Sequence, residues 1–521
     1  MNRLFGDQVH ISRQTRIGVV AGVLAAIALS AAWLGYTAFQ VKADLESAKE
    51  QVRLVAAAET VDTAALADSL KLAVDQVAAA KSRVSDPIWT IASYIPLLGN
   101  APHALREATF TVDELLAGTD KLQAKLRETS TAEQFIDPEL LALLSTTAVE
   151  FKPKVEAASA RLKNIDYTLV PTQLSEPIQK LQVQMDKALP IVDEASKFAE
   201  IAPELLGLNG QRRWLVVFGN TAEARPSSGF PGGWGIITAD QGKLKLSKLE
   251  SNDRLSNVQL KNSAEIAGQE ADELYGSDLG RVLDMGLSPD FEIAGKLLWN
   301  LYTENTDEKD PVGVITMDEH ALQSLMWVTG PVTVGDKQLG ADAIVEYVTK
   351  GVYADFKDAA SKDAALLGIT EQIFSKLQTG EVGALGLAKA LLPAIQDGRI
   401  RAWAADEAVQ SIVRKTSLSG GVKSPEDVTH IVAVANGGGN KIEAYVQTDV
   451  QYWGGVCDLN LPFRDSTLRI TFNNTAPSSG LPAYVTPRLD KGQVAPKPQG
   501  SNREIVYVHL PAGSELQSAL V

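Results

Sequence analysis

The stretch that decides the fold is RRWLVVFGNTAEARPSSGFPGGWGIITADQG, residues 212–242. Residues 214–218 form a short apolar run that favours a strand, and residues 235–239 form another. Between the two runs lies a glycine-rich loop, and glycine lets the main chain approach a ligand closely. We therefore expect two buried strands joined by a polar loop at the strand ends.

The loop region carries three candidate ligand-binding side chains, Asn220, Glu223 and Arg225, and Trp234 follows them. Arg225 together with free N–H groups is suited to an anion, and an aromatic face such as that of Trp234 is suited to a sugar. In the structural alternative, Arg225 and Glu223 form an ion pair that only holds a long turn together. The loop lacks the lysine of a phosphate-binding P-loop, and its glycines do not open a clear helix, so it matches no nucleotide-binding pattern.

The same turn resembles that of a bacterial family, the domain of unknown function 4012. Members of that family carry an Asn-x-Ala-Glu-x-Arg turn followed by a Gly-Phe-x-Gly run, as Asn220, Ala222, Glu223, Arg225 and residues 229–233 do here. The resemblance covers nearly everything after about Ser85, with further short matches at residues 95–99, 288–291, 313–318, 329–332, 436–441 and 476–484. The family name implies no activity.

Residues 17–40 form an uncharged apolar run that meets the length of about 20 residues needed to span a bilayer. The residues before it include the basic side chains Arg3, Arg13 and Arg16. Because positive charge favours the cytoplasmic side, we expect residues 1–16 in the cytoplasm and the bulk of the chain after Val41 outside it. The alternative is a cleaved signal peptide, with a mature chain that begins at Asp44.

Composition narrows the classes of function. The formal net charge of −15 argues against nucleic acid as a partner. The single cysteine, Cys457, excludes an intrachain disulfide, which fits a bacterial envelope protein stabilised by its core. The five histidines are scattered, and neither HExxH nor GxSxG occurs, so zinc hydrolase and serine esterase chemistry have no sequence support.

Residues 41–204 are rich in alanine and helical in period, with apolar residues at alternating steps of four and three: Leu66, Leu70, Ala73, Val77, Ala80 and Val84. Asp137, Pro138 and Glu139 are typical of a helix start. The pattern predicts a helical stalk that raises an outer domain from the membrane, or a plain helical bundle without that role.

Residues 205–415 alternate between strand and helix patterns, which predicts a mixed α/β domain. The order of its elements at 291–302, 312–318, 320–328 and 330–334 resembles the LytR-CpsA-Psr family of envelope glycopolymer transferases. Residues 416–521 contain four short strand patterns, at 429–435, 441–448, 467–473 and 504–510, and predict a β-rich domain of sandwich type. The glycine-rich residues 436–441 are interpreted as a hairpin turn between two of these strands. The fold class expected is therefore a multi-domain α+β chain with an N-terminal transmembrane helix.

The resemblance to the transferases implies cations around a phosphate and a metal held by carboxylates. Candidates are Arg254 and Arg281 as further ligand contacts, and Asp284 or Asp290 as ligands of Mg²⁺. Asp290 has a structural alternative, a favourable place in the first turn of a helix.

The arginine-rich run of those transferases is missing here, because residues 348–372 contain Lys350, Lys357 and Lys362 but no arginine. Two hypotheses follow. The first is a membrane-anchored, extracytoplasmic envelope protein that binds an anionic or polyprenyl-phosphate-linked glycopolymer, within an assembly that includes other envelope proteins. The second is a divergent, magnesium-dependent glycopolymer phosphotransferase. The missing arginines favour the first.

Overall fold

The computed structural model describes residues 13–57, 63–128, 138–378, 382, 384–422, 430–455, 464–489 and 497–521. Within helices, the side chains of residues 13–24, 26, 27, 55–57, 138, 140, 141, 384 and 385 are also not described. The predictions made on Arg3, Asp137 and Cys457 lie outside the described residues. The chain divides into two compact units, one of Met1–Ser130 with Thr146–Ser196 and one of Thr131–Ser145 with Lys197–Val521.

Between residues 41 and 204, the described part of the chain consists of helices and turns, as the alanine-rich period predicts. The helices that precede the first strand are α1 (Arg13–Ala57), α2 (Thr63–Val84), α3 (Pro87–Ser93), α4 (Asn100–Leu116), α5 (Asp120–Glu128), α6 (Pro138–Lys163) and α7 (Thr172–Leu205).

Small residues let α1 and α2 pack closely. Five of the six positions of the predicted seam are buried in α2. One of them is Leu66, and the other four are Ala73, Val77, Ala80 and Val84. These four contact Val41 and Ala48 of α1 in two apolar clusters. This stripe holds α1 and α2 together as an antiparallel helical pair.

Helix α1 contains the segment 17–40 that the sequence predicts to cross a membrane. Among the helices of the described residues, we find none that is both long enough and apolar enough to cross a bilayer. The described side chains near the end of the segment include four exposed apolar ones: Leu29, Trp33, Tyr36 and Phe39.

The second unit is built on a mixed five-stranded sheet in the order β3-β2-β1-β4-β7. Strands β1 and β4 are parallel, and the other neighbours in the sheet are antiparallel. The strands of this sheet are β1 (Arg212–Asn220), β2 (Phe230–Asp240), β3 (Lys243–Ser251), β4 (Gly313–Met317) and β7 (Ile400–Ala404). The apolar runs at residues 214–218 and 235–239 therefore form neighbouring strands, as predicted, and the mixed α+β class is confirmed.

Successive side chains of β1 point to opposite faces of the sheet, so the core is divided into two layers. Trp214, Val216 and Phe218 face one apolar cluster, whereas Leu215 and Val217 face the other. The helices of this unit are α8 (Ser263–Ala267), α9 (Gln269–Tyr275), α10 (Phe291–Asn305), α11 (Glu319–Thr329), α12 (Ala341–Glu346), α13 (Val352–Asp355), α14 (Ala359–Gln378), α15 (Ala384–Gln396) and α16 (Glu407–Val413). Residues of α10 line the second cluster and those of α11 and α14 the first, so helices cover both faces of the sheet.

The remaining strands form two-stranded sheets. They are β5 (Val332–Val334), β6 (Lys337–Leu339), β8 (Ile431–Asn436), β9 (Val446–Gly454), β10 (Ser466–Asn474) and β11 (Glu504–His509), paired as β5 with β6, β8 with β11, and β9 with β10.

The interpretation of residues 436–441 as a hairpin turn is wrong, because β8 pairs with β11 and not with β9. The side chain of Asn436 accepts hydrogen bonds from the N–H groups of Gly438 and Gly439, at 2.9 and 2.8 Å, and so folds the loop on itself. Ala435 and Ile442 then enter the two core clusters of the second unit. The β-rich segment after residue 416 thus shares its core with the mixed sheet.

Candidate functional site

The loop between β1 and β2 has a tightly determined main chain. Gly229 has φ of 76°, a conformation that favours glycine, and a Cβ on Gly219 would lie 1.8 Å from the carbonyl oxygen of Ser228. The Asn220 side chain accepts a hydrogen bond from the N–H of Ala222 at 2.9 Å and donates one to the hydroxyl of Tyr353 at 3.0 Å. Asn220 therefore shapes the turn from within.

Arg225, Glu223 and Lys441 form a buried charged cluster, here called the loop hub. The Nη2 of Arg225 lies 2.9 Å from Oε1 of Glu223, and Lys441 donates to the other carboxylate oxygen. Arg225 also donates to three carbonyl oxygens, those of Leu283 at 2.9 Å, Ala224 at 2.9 Å and Asn436 at 3.1 Å. Its side chain is only 6% exposed, so the guanidinium group is saturated by protein and presents little surface to a ligand.

Main-chain hydrogen bonds strengthen the loop hub. The N–H of Asn436 donates to the carbonyl oxygen of Ala224 at 3.0 Å, and the N–H of Glu443 donates to that of Ala222 at 3.1 Å. The N–H of Ser227 donates to the carbonyl oxygen of Gly286 at 3.2 Å. The turn thus ties together three segments that are distant in sequence, and its geometry favours the structural alternative for Arg225 and Glu223.

The other residues predicted to bind a ligand are dispersed. Trp234 is buried in the core, with its ring centroid 6.1 Å from that of Tyr302. Arg254 is exposed and lies 3.7 Å from Glu250, which precedes it by four residues. Arg281 is exposed and lies 3.8 Å from Asp284, a residue that also lies 3.6 Å from Arg225. The structure thus brings Arg281 to the edge of the loop hub and leaves Trp234 and Arg254 apart from it.

The two carboxylates considered as Mg²⁺ ligands have other partners. Asp284 lies beside two guanidinium groups, and Asp290 caps α10 by accepting a hydrogen bond from the N–H of Glu292 at 2.9 Å. In the part of the chain that the structure describes, no group of three or more His, Cys, Asp or Glu residues is arranged to hold a metal ion. Asp284 and Asp290 are thus not brought together with a third such residue, and the described residues do not form the carboxylate cluster expected of a magnesium site.

A second group of charged residues lies where the parallel strands β1 and β4 end. Asp318 follows β4 directly and caps α11, because its Oδ1 accepts from the N–H groups of His320 and Ala321, both at 3.0 Å. Its Oδ2 lies 3.2 Å from Nη1 of Arg399, which stands just before β7 and is 41% exposed. This carboxyl edge of a parallel strand pair is where α/β sheets commonly bind ligands.

Arg401 is the unusual cation of this edge. Its Nε donates to the carbonyl oxygen of Gly398 at 3.2 Å and its Nη1 to that of Pro226 at 3.3 Å. No Asp or Glu among the described residues forms an ion pair with it. Burial lowers the pKa of the Arg401 guanidinium; the nearby charges of Asp318 and Asp290 act in the opposite direction, and that of Arg399 adds to the lowering. The edge thus holds a half-buried cation that no carboxylate among the described residues pairs with.

Glu319, beside Asp318, is fully buried and accepts hydrogen bonds from the N–H and hydroxyl of Thr221 at the end of β1. Burial first, and then the charge of Asp318, raise its pKa to about 7. The neighbouring His320 has a lowered pKa, because it is partly buried and close to the positive charge of Arg399. Glu319 therefore links the ends of β1 and β4 in a form that is largely protonated below neutral pH.

Sequence reasoning missed Asp318, Arg399 and Arg401 as a group. Two signals in the sequence could have found them. Asp318 directly follows the buried strand β4, and Arg399 and Arg401 are spaced by one residue at the start of β7. Alternate residues of a strand project to the same side, so the pair of arginines was readable as one basic face.

We expect Arg225→Met to lower the free energy of unfolding by about 3 to 5 kcal/mol, because it removes one partner from a buried charged cluster. Urea denaturation followed by tryptophan fluorescence measures the change. The matched control is Arg254→Met, which removes an exposed ion pair and should cost less than about 1 kcal/mol. Equal losses in the two variants would contradict a structural role for the loop hub.

The raised pKa of Glu319 makes the stability of the fold depend on pH. Between the ordinary value of 4.5 and about 7 the folded state keeps a proton that the unfolded state releases, so this contribution to stability is lost as pH rises through that window. Relative to Glu319→Gln, the wild type should lose on the order of 3 kcal/mol between pH 4.5 and pH 7.5. Denaturation at several pH values tests this, with the exposed Glu265→Gln as control. Parallel curves for the wild type and Glu319→Gln would contradict it.

Comparison with known proteins supports the resemblance that the turn suggested. Residues 209–353 match the model of the family described as protein of unknown function (DUF4012). None of the curated proteins matches the chain, and neither does any solved structure. The wider family resemblance, from about Ser85 and through residues 436–484, stays a prediction, as does the likeness to the LytR-CpsA-Psr family. The match confirms the resemblance to the domain of unknown function 4012 family for residues 209–353, which begin just before β1 and end within α13.

Proposed function

We propose that the second unit binds a phosphate-bearing ligand at the carboxyl edge of β1 and β4, with Arg401 and Arg399 as its anion contacts. The observation that carries this proposal is Arg401, a half-buried cation without a carboxylate partner among the described residues. Burying a charge is expensive unless an opposite charge or several hydrogen bonds compensate it. A bound anion would supply that compensation.

The geometry around Arg401 supports a planar, branched anion. Two of its N–H groups are used by carbonyl oxygens, whereas a guanidinium group carries five in a fixed fork that matches phosphate oxygens. Arg399 pairs with Asp318 through Nη1 alone and is partly exposed, so it can add a second cation without leaving its partner. Pro226, whose carbonyl oxygen accepts from Arg401, brings the loop between β1 and β2 to the same place.

We further propose that this ligand is an anionic or lipid-linked glycopolymer of the cell envelope. The proposal requires the chain to be anchored by residues 17–40 with its bulk outside the cytoplasm, as the basic residues before the run predict. A polyprenyl phosphate carrier has its phosphate at a membrane surface, which such an anchored protein can reach. Other envelope-assembly proteins are the partners expected of this role.

Binding without turnover is the favoured form of the proposal. Asp318 is used to cap α11 and to pair with Arg399, and Glu319 is fully buried beneath Thr221. A phosphotransferase needs groups that can reach the reacting atoms. The alternative of a divergent glycopolymer phosphotransferase therefore has less support than a binding role.

Inorganic pyrophosphate is a simple probe of the site. We expect it to raise the thermal unfolding midpoint of the full-length protein in a concentration-dependent way, because a ligand stabilises the state that binds it. Arg401→Gln should weaken pyrophosphate binding by about 10- to 100-fold, the effect of losing a hydrogen-bonded charged contact, and Arg399→Gln should act in the same direction. Isothermal titration calorimetry gives the affinities.

The control for this experiment is Arg254→Gln, which removes the same charge from an exposed residue that the sequence, but not the geometry, offered as a ligand contact. If Arg401→Gln binds pyrophosphate as tightly as the wild type while Arg254→Gln binds it more weakly, pyrophosphate does not bind at the carboxyl edge. Native mass spectrometry of detergent-purified protein, with and without Mg²⁺, then tests whether polyprenyl phosphate is the bound species. Consumption of a polyprenyl pyrophosphate substrate would favour the transferase alternative.

A further inference from the structure

The first unit exposes an unusual uncharged segment. From residue 87 to residue 105 the chain contains no Asp, Glu, Lys or Arg, although much of this stretch lies on the surface. The large apolar side chains of residues 91–98, here called the apolar turn, point outward: Ile91, Tyr94, Ile95, Leu97 and Leu98 are all exposed, Tyr94 to 83%. Contiguous apolar surface of this kind marks a site of contact with a protein or a membrane.

One residue of the apolar turn also adopts a costly main-chain conformation. Leu97 has φ of 67°, in the left-handed region that leucine rarely occupies. Such strain persists where the surrounding structure enforces it, and it often accompanies function. Here it accompanies two adjacent leucines, Leu97 and Leu98, that both face outward.

Contacts with α1 fix the position of the apolar turn along the axis of that helix. Ala73, in the first half of α2, packs against Ala48, and Val84, at its end, packs in the same cluster as Val41. Farther on, the indole N–H of Trp89 in α3 donates to the hydroxyl of Thr37 at 3.0 Å. The chain from α2 to α3 therefore moves steadily toward the N-terminal end of α1.

The distance along α1 from Ile17 to Thr37 can be compared with the thickness of a bilayer. The uncharged run begins at Ile17, and Thr37 follows it by 20 residues, which is about 30 Å of helix at about 1.5 Å per residue. This distance equals the thickness of the hydrocarbon core, about 30 Å. Trp33 and Tyr36 are exposed just before Thr37, and these residue types favour the boundary between lipid and water. If residues 17–40 cross the membrane, Thr37 and the α3 residues bound to it lie at its outer surface.

We propose that the apolar turn lies in the outer interfacial layer of the same bilayer that α1 crosses. This inference rests on the anchorage put forward in the proposed function and adds a second lipid contact to it. With α1 as one contact and the apolar turn as the other, the pair formed by α1 and α2 is held at a fixed height and rotation against the membrane. Lipid is the favoured occupant because the exposed surface of α1 at Trp33 and Tyr36 lies at the same height along the helix as the contact of α3 with Thr37.

Site-directed fluorescence tests the proposal in the full-length protein. The environment-sensitive dye NBD is attached at Leu98→Cys in a Cys457→Ala background, and the protein is reconstituted into phosphatidylcholine vesicles with brominated acyl chains. The matched control is Leu72→Cys on α2, which is also an exposed leucine. It adjoins Ala73, which packs on Ala48, and Ala48 follows Thr37 by 11 residues, or about 16 Å along α1.

We expect bromine quenching at position 98 to exceed that at position 72 by at least about twofold and to be stronger with shallow than with deep bromine positions, as for an interfacial segment.

A third label at Leu29→Cys reports the anchor itself. Quenching at 29 with none at 98 overturns this inference and leaves the anchorage standing. Quenching at neither position overturns both. Quenching at 98 alone overturns the spanning helix, and with it the position proposed for the apolar turn. The NBD emission at position 98 could also shift to the blue with rising protein concentration, without quenching by bromine. That result would mean that a second copy of the chain covers the apolar turn, and it would overturn the inference.

Discussion

The loop hub is the interaction on which the second unit depends. Three charged side chains, Glu223, Arg225 and Lys441, are buried together, and the cost of removing them from water is offset only when all three are in place. Because Arg225 also donates to the carbonyl oxygens of Leu283 and Asn436, the hub is complete only when segments from three parts of the chain have assembled. It therefore makes the β-rich residues after 416 a part of the same core as the mixed sheet.

The hub also sets the geometry of the candidate site. Pro226 follows Arg225 directly, and its carbonyl oxygen accepts from Arg401, so the rigid turn holds one side of that guanidinium group. At the other end of the turn, Thr221 follows β1 and binds Glu319 at the end of β4. The loop thus acts mainly as a brace for the carboxyl edge, where Arg399 and Arg401 are the cations proposed to contact a ligand.

The first unit is held together by a different means, the close packing of small residues. Alanines at Ala48, Ala73 and Ala80 let α1 and α2 approach closely, and the hydrogen bond from Trp89 to Thr37 places α3 against α1. Dispersion contacts in such a stripe are individually small and collectively large. With the helices paired in this way, the uncharged residues at the end of α3 and after it remain on the surface.

The sequence alone determined the main strands, the helical period of residues 41–204 and the family of the turn, because these depend on local patterns of apolar and polar residues. It left Arg225 open between a ligand contact and a structural pair, since burial is set by segments up to 211 residues away, such as the one that contains Asn436. It missed Arg401 for the same reason, because its contact at Pro226 lies 175 residues away. It also misassigned the turn after β8, because the choice of β11 as a partner depends on long-range pairing that no local pattern encodes. Tertiary structure decided which charges are paired within the protein and which, like that of Arg401, have no carboxylate partner among the described residues.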